Sequence, residues 1–241
     1  MNIREKKRLI SCAAGETEPD FVLKNAQIAD VFTETLFTGD IAVLDGRIAG
    51  IGNYSASREI DCSGKTVVPG FIDAHVHLES TMTSPSILAP VLLRRGTTAV
   101  IADPHEIANV CGMEGVRWLM RDSAKTPLDV FFALPSCVPL GENDHNGAVF
   151  GPQDIKELRS EECVSGLGEV MNCTAVVAGD EDLLEKIEFM QEKTIDGHAP
   201  GISGKMLQAY RAAGVQTDHE CSSWEEALER LRAGFLVQVR E

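Results

Sequence analysis

The sequence predicts an α/β fold: an incomplete TIM-like (β/α)8 barrel, with about seven strands present, behind a small N-terminal β-sheet domain. Three observations predict it. From Val67 onward, short apolar runs alternate with helical stretches, the rhythm of parallel strands joined by right-handed crossovers. Before Val67, apolar and polar residues alternate between turn signals, as in antiparallel strands. Finally, five side chains able to ligate metal (His75, His77, Glu169, His198 and His219) each end a strand-like run, where a barrel places its reactive groups.

Taken in order, MNIREKKRLISCAAGE is charged and helix-prone, and is expected to form a peripheral arm; it lacks the apolar core of a signal peptide. Between Phe21 and Ile60, FVLKNAQIADV, TLFTGDIAVLDGRIAGIG and SREIDC read as short strands, with Asn25, Gly39-Asp40 and Asp45-Gly46 as turns. Asp45-Gly46 between IAVL and RIAGI predicts a hairpin. Residues 1–66 are therefore expected to form the arm and a small β-rich domain, and residues 67–241 the barrel.

In that barrel the strand candidates are FIDAHVH (71–77), TTAVIAD (97–103), LDVFFAL (128–134), VSGLGE (164–169), TIDGH (194–198), GVQTDH (214–219) and FLVQVR (235–240). The expected helices are SPSILAPVLLRRG, GMEGVRWLMRDSA, DEDLLEKIEFMQEK, SGKMLQAYRAAG and SWEEALERLRAG. Gly96, Gly214 and Gly234 stand where helices stop, and Ser222 or Ser223 ahead of Glu225 and Glu226 where one starts. A complete barrel takes about 250 residues. With no eighth strand visible, the expectation is the N-terminal piece of a larger enzyme, truncated before strand eight.

Composition narrows the function. Lys+Arg number 22 against 37 Asp+Glu, a net charge of −15, which argues against nucleic-acid or anionic-membrane surfaces. A neutral or cationic small molecule suits the chain better, and a homo-oligomer is compatible with it. Seven scattered cysteines without a CxxC pair read as reduced thiols of a cytoplasmic protein. No stretch approaches the ~20 apolar residues of a membrane span.

His75 and His77, two apart on a strand, leave one face about 6–7 Å apart, a spacing from which two imidazoles can close on one ion. Glu169 can offer one oxygen to each of two ions, with His198 and His219 holding the second. Two metals about 3.5–4 Å apart can activate water at neutral pH. A lone strand-end histidine is more often a packed residue; five candidates at barrel positions reverse that reading. Glu169 is the weakest of them, since a strand-end carboxylate can simply cap a helix. Asp103, His105 and Glu106 in IADPHEIANV form a second group on the same face. They read as substrate contacts, a proton relay or a further metal site, against a turn heading a helix. Glu79, Ser80, Ser136, Asp218 and Glu220 are weaker candidates. His145 belongs to a Gly/Asn-rich loop, and Trp118 and Trp224 fall on helical packing patterns.

These motifs resemble the amidohydrolase superfamily and, within it, the adenine deaminase family. PGFIDAHVHLEST is similar to the superfamily's first barrel strand. ADPHEIANVCGMEGVRW, LPSCVP, GLGEVMN, DGHAPG and TDHE carry the closer likeness, which runs through the chain from about Val67. The resemblance implies hydrolysis of adenine to hypoxanthine and ammonia, in purine salvage or breakdown. It also implies two divalent ions, Mn2+ favoured, with Fe2+ or Zn2+ as alternatives. Glu169 stands where many relatives carry a carboxylated lysine, and would be the bridging, catalytic ligand; His105, Glu106 and Ser136 would meet the substrate. The family's further Asp, after strand eight, has no counterpart in this sequence. Two alternatives remain: an amidohydrolase acting on a cyclic amide, for which a lysine at position 169 is the norm, or a non-catalytic metal-binding fragment.

Overall fold

The computed structural model describes residues 1–141 and 143–240; Glu142 of the Gly/Asn-rich loop and Glu241 at the end of the expected barrel lie outside the described residues. The chain divides into two compact units, Met1–Pro69 and Gly70–Glu241.

In the first unit, helix α1 (Ile3–Ala13) starts at a capping box in which Asn2 and Glu5 satisfy each other's backbone amides. Strands β1 (Phe21–Asp30), β2 (Thr35–Leu44), β3 (Arg47–Gly52), β4 (Glu59–Asp61) and β5 (Thr66–Val67) follow. They form one sheet in the order β3-β2-β1-β4, with β5 also on β1. Asp45 and Gly46 both take positive φ, 51° and 70°, and close the β2–β3 hairpin at the expected place. The sheet is mixed rather than wholly antiparallel, because β4 and β5 run parallel to β1. Ala26, Ile28, Ile41 and Cys62 form its small core.

The second unit runs β6 (Phe71–Val76), α2 (Pro85–Arg94), β7 (Thr97–Ala102), α3 (His105–Ser123), β8 (Asp129–Leu134) and α4 (Pro152–Leu158). It continues with β9 (Val164–Val170), α5 (Cys173–Ala178), α6 (Glu181–Phe189), β10 (Thr194–Gly197), α7 (Gly204–Ala212), β11 (Thr217–Asp218), α8 (Trp224–Ala233) and β12 (Leu236–Val237). Strands β6 to β10 form a five-stranded, wholly parallel, curled half-barrel in sequential order. β11 and β12 pair with each other, also in parallel. A backbone hydrogen bond from Gln216 to Ile195, 2.9 Å, joins the segment before β11 to β10.

The seven expected strands are all present, the last two much shortened. The expected helix at 112–124 starts earlier, at His105, and is broken at Gly112, whose φ of 59° and ψ of −149° are non-helical. Helices α4 and α5 were not expected. The Thr- and Val-rich α5 has weak helix propensity and is held by its ends, where the Asn172 side chain accepts from Ala175 N–H and Gly179 closes it in the left-handed region. Two apolar layers position the strands. Leu78, Ala89, Val100, Leu119 and Phe132 tie β6–β8 to α2 and α3, while Leu134, Leu167, Ile195, Leu207, Tyr210 and Phe235 continue under β9–β12. Burying each such large side chain contributes about 1.5–3 kcal/mol.

Candidate metal centre

Alternation along a strand sends residues i and i+2 to one face, and at the ends of β6 and β10 those pairs are His75 with His77 and Asp196 with His198. Glu169 comes from β9 and His219 from the residue after β11. The four imidazoles converge on the Glu169 carboxylate. Its oxygens lie 2.7 Å from His75 Nε2, 3.1 Å from His77 Nε2, 3.3 Å from His198 Nδ1 and 3.2 Å from His219 Nε2. All five expected ligands thus stand together. Three overlapping donor clusters, His75–His77–Glu169, Glu169–His198–His219 and Asp103–His105–Glu169, share the carboxylate, with donor atoms within 4.8 Å of one another in each; a fourth joins His75, Asp196 and His219.

Charge is concentrated at this point. Glu169 is 4% exposed, and its ion-pair partners among the described residues are these histidines alone. Burial pushes its carboxyl up, but His198, His219, His75 and His77 outweigh burial and hold it well below the usual carboxylate range. Burial likewise opposes charge on His75, yet Asp196 and Glu169 raise it to about 10; the same two carboxylates raise His219 to about 9. Imidazole nitrogen and carboxylate oxygen are the donors that Zn2+, Mn2+ and Fe2+ accept, so the residues present fit divalent metal.

Around this core, His77 Nδ1 donates to the Asp103 carbonyl at 3.0 Å, which turns Nε2 toward Glu169. Asp103 is buried beneath Gly168, and a Cβ at that glycine would overlap its carboxylate. His105 Nδ1 is 3.3 Å from Asp103 Oδ1 without hydrogen-bonding geometry, and its ring lies 4.6 Å from that of His77. Both Asp103 oxygens and His105 Nδ1 are buried without hydrogen-bond partners. Glu106 accepts from the Ser80 hydroxyl at 2.8 Å. Glu79 accepts from Ile107 N–H at 3.0 Å, and burial pushes its carboxyl up. Ser136 is 1% exposed and donates to the Glu169 carbonyl, so its hydroxyl is occupied in holding β9. Glu220 lies 3.8 Å from His198 and 3.6 Å from His219. His145 stands outside the cluster; its carbonyl accepts from Asn109. Trp118 and Trp224 are exposed rather than packed. A cavity of about 440 Å³ opens onto His75, His77, Glu169 and His219.

The model of the amidohydrolase family matches residues 66–239. The chain belongs to the amidohydrolase family. Within it, the chain is 48% identical over 234 residues to adenine deaminase of Clostridium acetobutylicum, covering 96% of this chain and 41% of that protein. It is 48% identical over 240 residues to adenine deaminase of Archaeoglobus fulgidus, covering 100% of this chain and 43% of that protein. The chain therefore spans about two-fifths of the length of these relatives. Among solved structures, atrazine chlorohydrolase from Arthrobacter aurescens TC1 complexed with zinc is similar at a TM-score of 0.59 and 12% identity, over 91% of this chain and 71% of that one. A Xaa-Pro dipeptidase with bound methionine gives 0.57 and 16%, over 90% and 66%. At these identities the likeness is one of fold.

Two features of this amidohydrolase site escape a reading of the sequence. Asp196, inside TIDGH, looks like a polar interruption of a strand, yet it touches the candidate ligands directly. Arg230, on α8, looks like a surface residue of an amphipathic helix but is fully buried on Asp218 at 2.9 Å and on the Ala199 carbonyl at 2.7 Å. The only hint of Asp196 was its period-2 spacing from His198.

Proposed function

We propose that this chain carries most of the active site of an adenine deaminase, which hydrolyses adenine to hypoxanthine and ammonia. The observation that carries the reading is the convergence of four imidazoles on Glu169, in a chain nearly half identical to adenine deaminases along its whole length. His75, His77, Glu169, His198 and His219 would hold two divalent ions, Mn2+ favoured. When bound, such ions act as Lewis acids and bring the pKa of coordinated water toward 7.

The chain's own residues supply the rest. Glu169, on β9, draws together donors from the ends of three other strands, and the Asp103 carbonyl and Asp196 orient His77 and His75 respectively. Deamination adds water across C6 of the purine and expels ammonia, so the proton lost by water must reach the leaving amino group. Asp103 and His105, beside His77 with buried oxygens and a buried Nδ1 that have no hydrogen-bond partner, would hold that proton. Glu106 would meet the substrate at the heads of β6 and β7. The free state of all seven cysteines supports a reduced, cytoplasmic setting.

The test is ammonia release from adenine by the full-length protein reconstituted with Mn2+. Turnover is expected, and Glu169→Gln should reduce it at least about a hundredfold, as loss of an essential ligand does. Hydrolysis of a cyclic amide with none of adenine would replace this reading by the other hydrolase.

A further inference from the structure

Asp196 is a buried carboxylate in contact with candidate ligands that the five-residue set leaves without a role. It sits one residue pair below His198 on the inward face of β10 and is 6% exposed. Its Oδ2 lies 2.8 Å from His75 Nδ1, and its Oδ1 lies 3.9 Å from His219 Nδ1, a buried nitrogen with no hydrogen-bond partner. The carboxylate is itself pinned. Thr217 Oγ1 donates to Oδ1, and so does Gly197 N–H at 3.0 Å. The His75 and His219 rings stack at 4.1 Å, so both present one nitrogen to Asp196 and the other, Nε2, to Glu169.

Burying a carboxylate costs several kcal/mol unless its charge is used. A neutral side chain would accept the Thr217 and Gly197 hydrogen bonds equally well. What the charge adds is a fixed tautomer at His75: Nδ1 carries the proton, leaving the Nε2 lone pair free to face the Glu169 side. Carboxylates behind histidine ligands orient the ring and make the ligating nitrogen more basic. We infer that Asp196 is a positioning residue, which sets the tautomer and orientation of His75 and, through the stacked His75 and His219 rings, braces a ligand in each half of the metal centre. This rests on the metal-centre reading given above.

The experiment is Mn2+ titration of the metal-free protein, reading affinity and the number of ions bound at saturation, for wild type, Asp196→Asn and Asp196→Ala. The near-isosteric Asn variant guards against misfolding, and its metal-free melting temperature is recorded alongside. The inference expects affinity to fall roughly ten- to a hundredfold in the Ala variant and by a smaller factor in the Asn variant. The ion count should stay at the wild-type value, and the metal-free Asn variant should still melt in a single cooperative transition. Wild-type affinity in both variants would overturn it, as would loss of one ion from the count, which would make Asp196 a ligand. A wild-type protein that takes up no Mn2+ overturns the metal-centre reading itself, an outcome distinct from either.

Discussion

At the residue scale, the five candidate ligands were legible because a histidine or glutamate ending an apolar run is rare enough that five in register stand out. The residues that orient them were not, since an aspartate in the middle of TIDGH or an arginine in WEEALERLRA carries no local sign of burial. Their meaning exists only after β6, β10 and β11 are brought side by side. His77→Ala should reduce the Mn2+ bound per chain, read by elemental analysis after gel filtration; an unchanged count would remove His77 from the set. Gly168→Ala would drive a methyl group into the Asp103 carboxylate. Its expected effect is a fall in kcat, because that carboxylate faces His105 and the Asp103 carbonyl orients His77.

At the scale of elements, the strand-helix rhythm gave the half-barrel and its strand order, because sequential parallel strands leave few other topologies. Helices α4 and α5 were hidden, since one is a short turn opened by Pro152 and the other is rich in β-branched residues. The tertiary frame overrides such weak local preference. Two loops that carry ligands are held by the Asp218–Arg230 pair, both residues wholly buried: Asp218 Oδ1 accepts from Ala199 N–H at 3.2 Å and Glu220 N–H at 3.1 Å. Arg230→Met leaves that carboxylate buried and unpaired, and should destabilise the fold by about 3–5 kcal/mol in urea denaturation. Gly166→Ala is expected to cost about 1–3 kcal/mol, since its Cβ would overlap the Thr194 carbonyl where β9 pairs with β10. Little change in either denaturation midpoint would refute the account of these contacts.

At the scale of the whole molecule, the charge stored in the centre makes stability depend on pH. His75 and His219 titrate near 10 and 9 in the folded, metal-free protein, against an ordinary 6.5. Their contribution is complete below about pH 6.5 and disappears as pH rises through 9 to 10. Glu169 and Asp196 are depressed, so their contribution holds above the usual carboxylate range and is lost only in strong acid. The melting temperature of metal-free protein should therefore fall between pH 6.5 and 10, while Mn2+ restores it most in that interval, where fewer protons compete for imidazole. A flat profile would contradict the assigned charges. Glu169 also has a kinetic consequence. Its partners are drawn from positions 75 to 219, so the contacts around it close loops that span most of the second unit. Loops of that length close late, after the nearest-neighbour strand pairs have formed. Refolding chains should then acquire secondary structure first and the ability to capture a metal ion last, making ion uptake a clock for the completion of the fold.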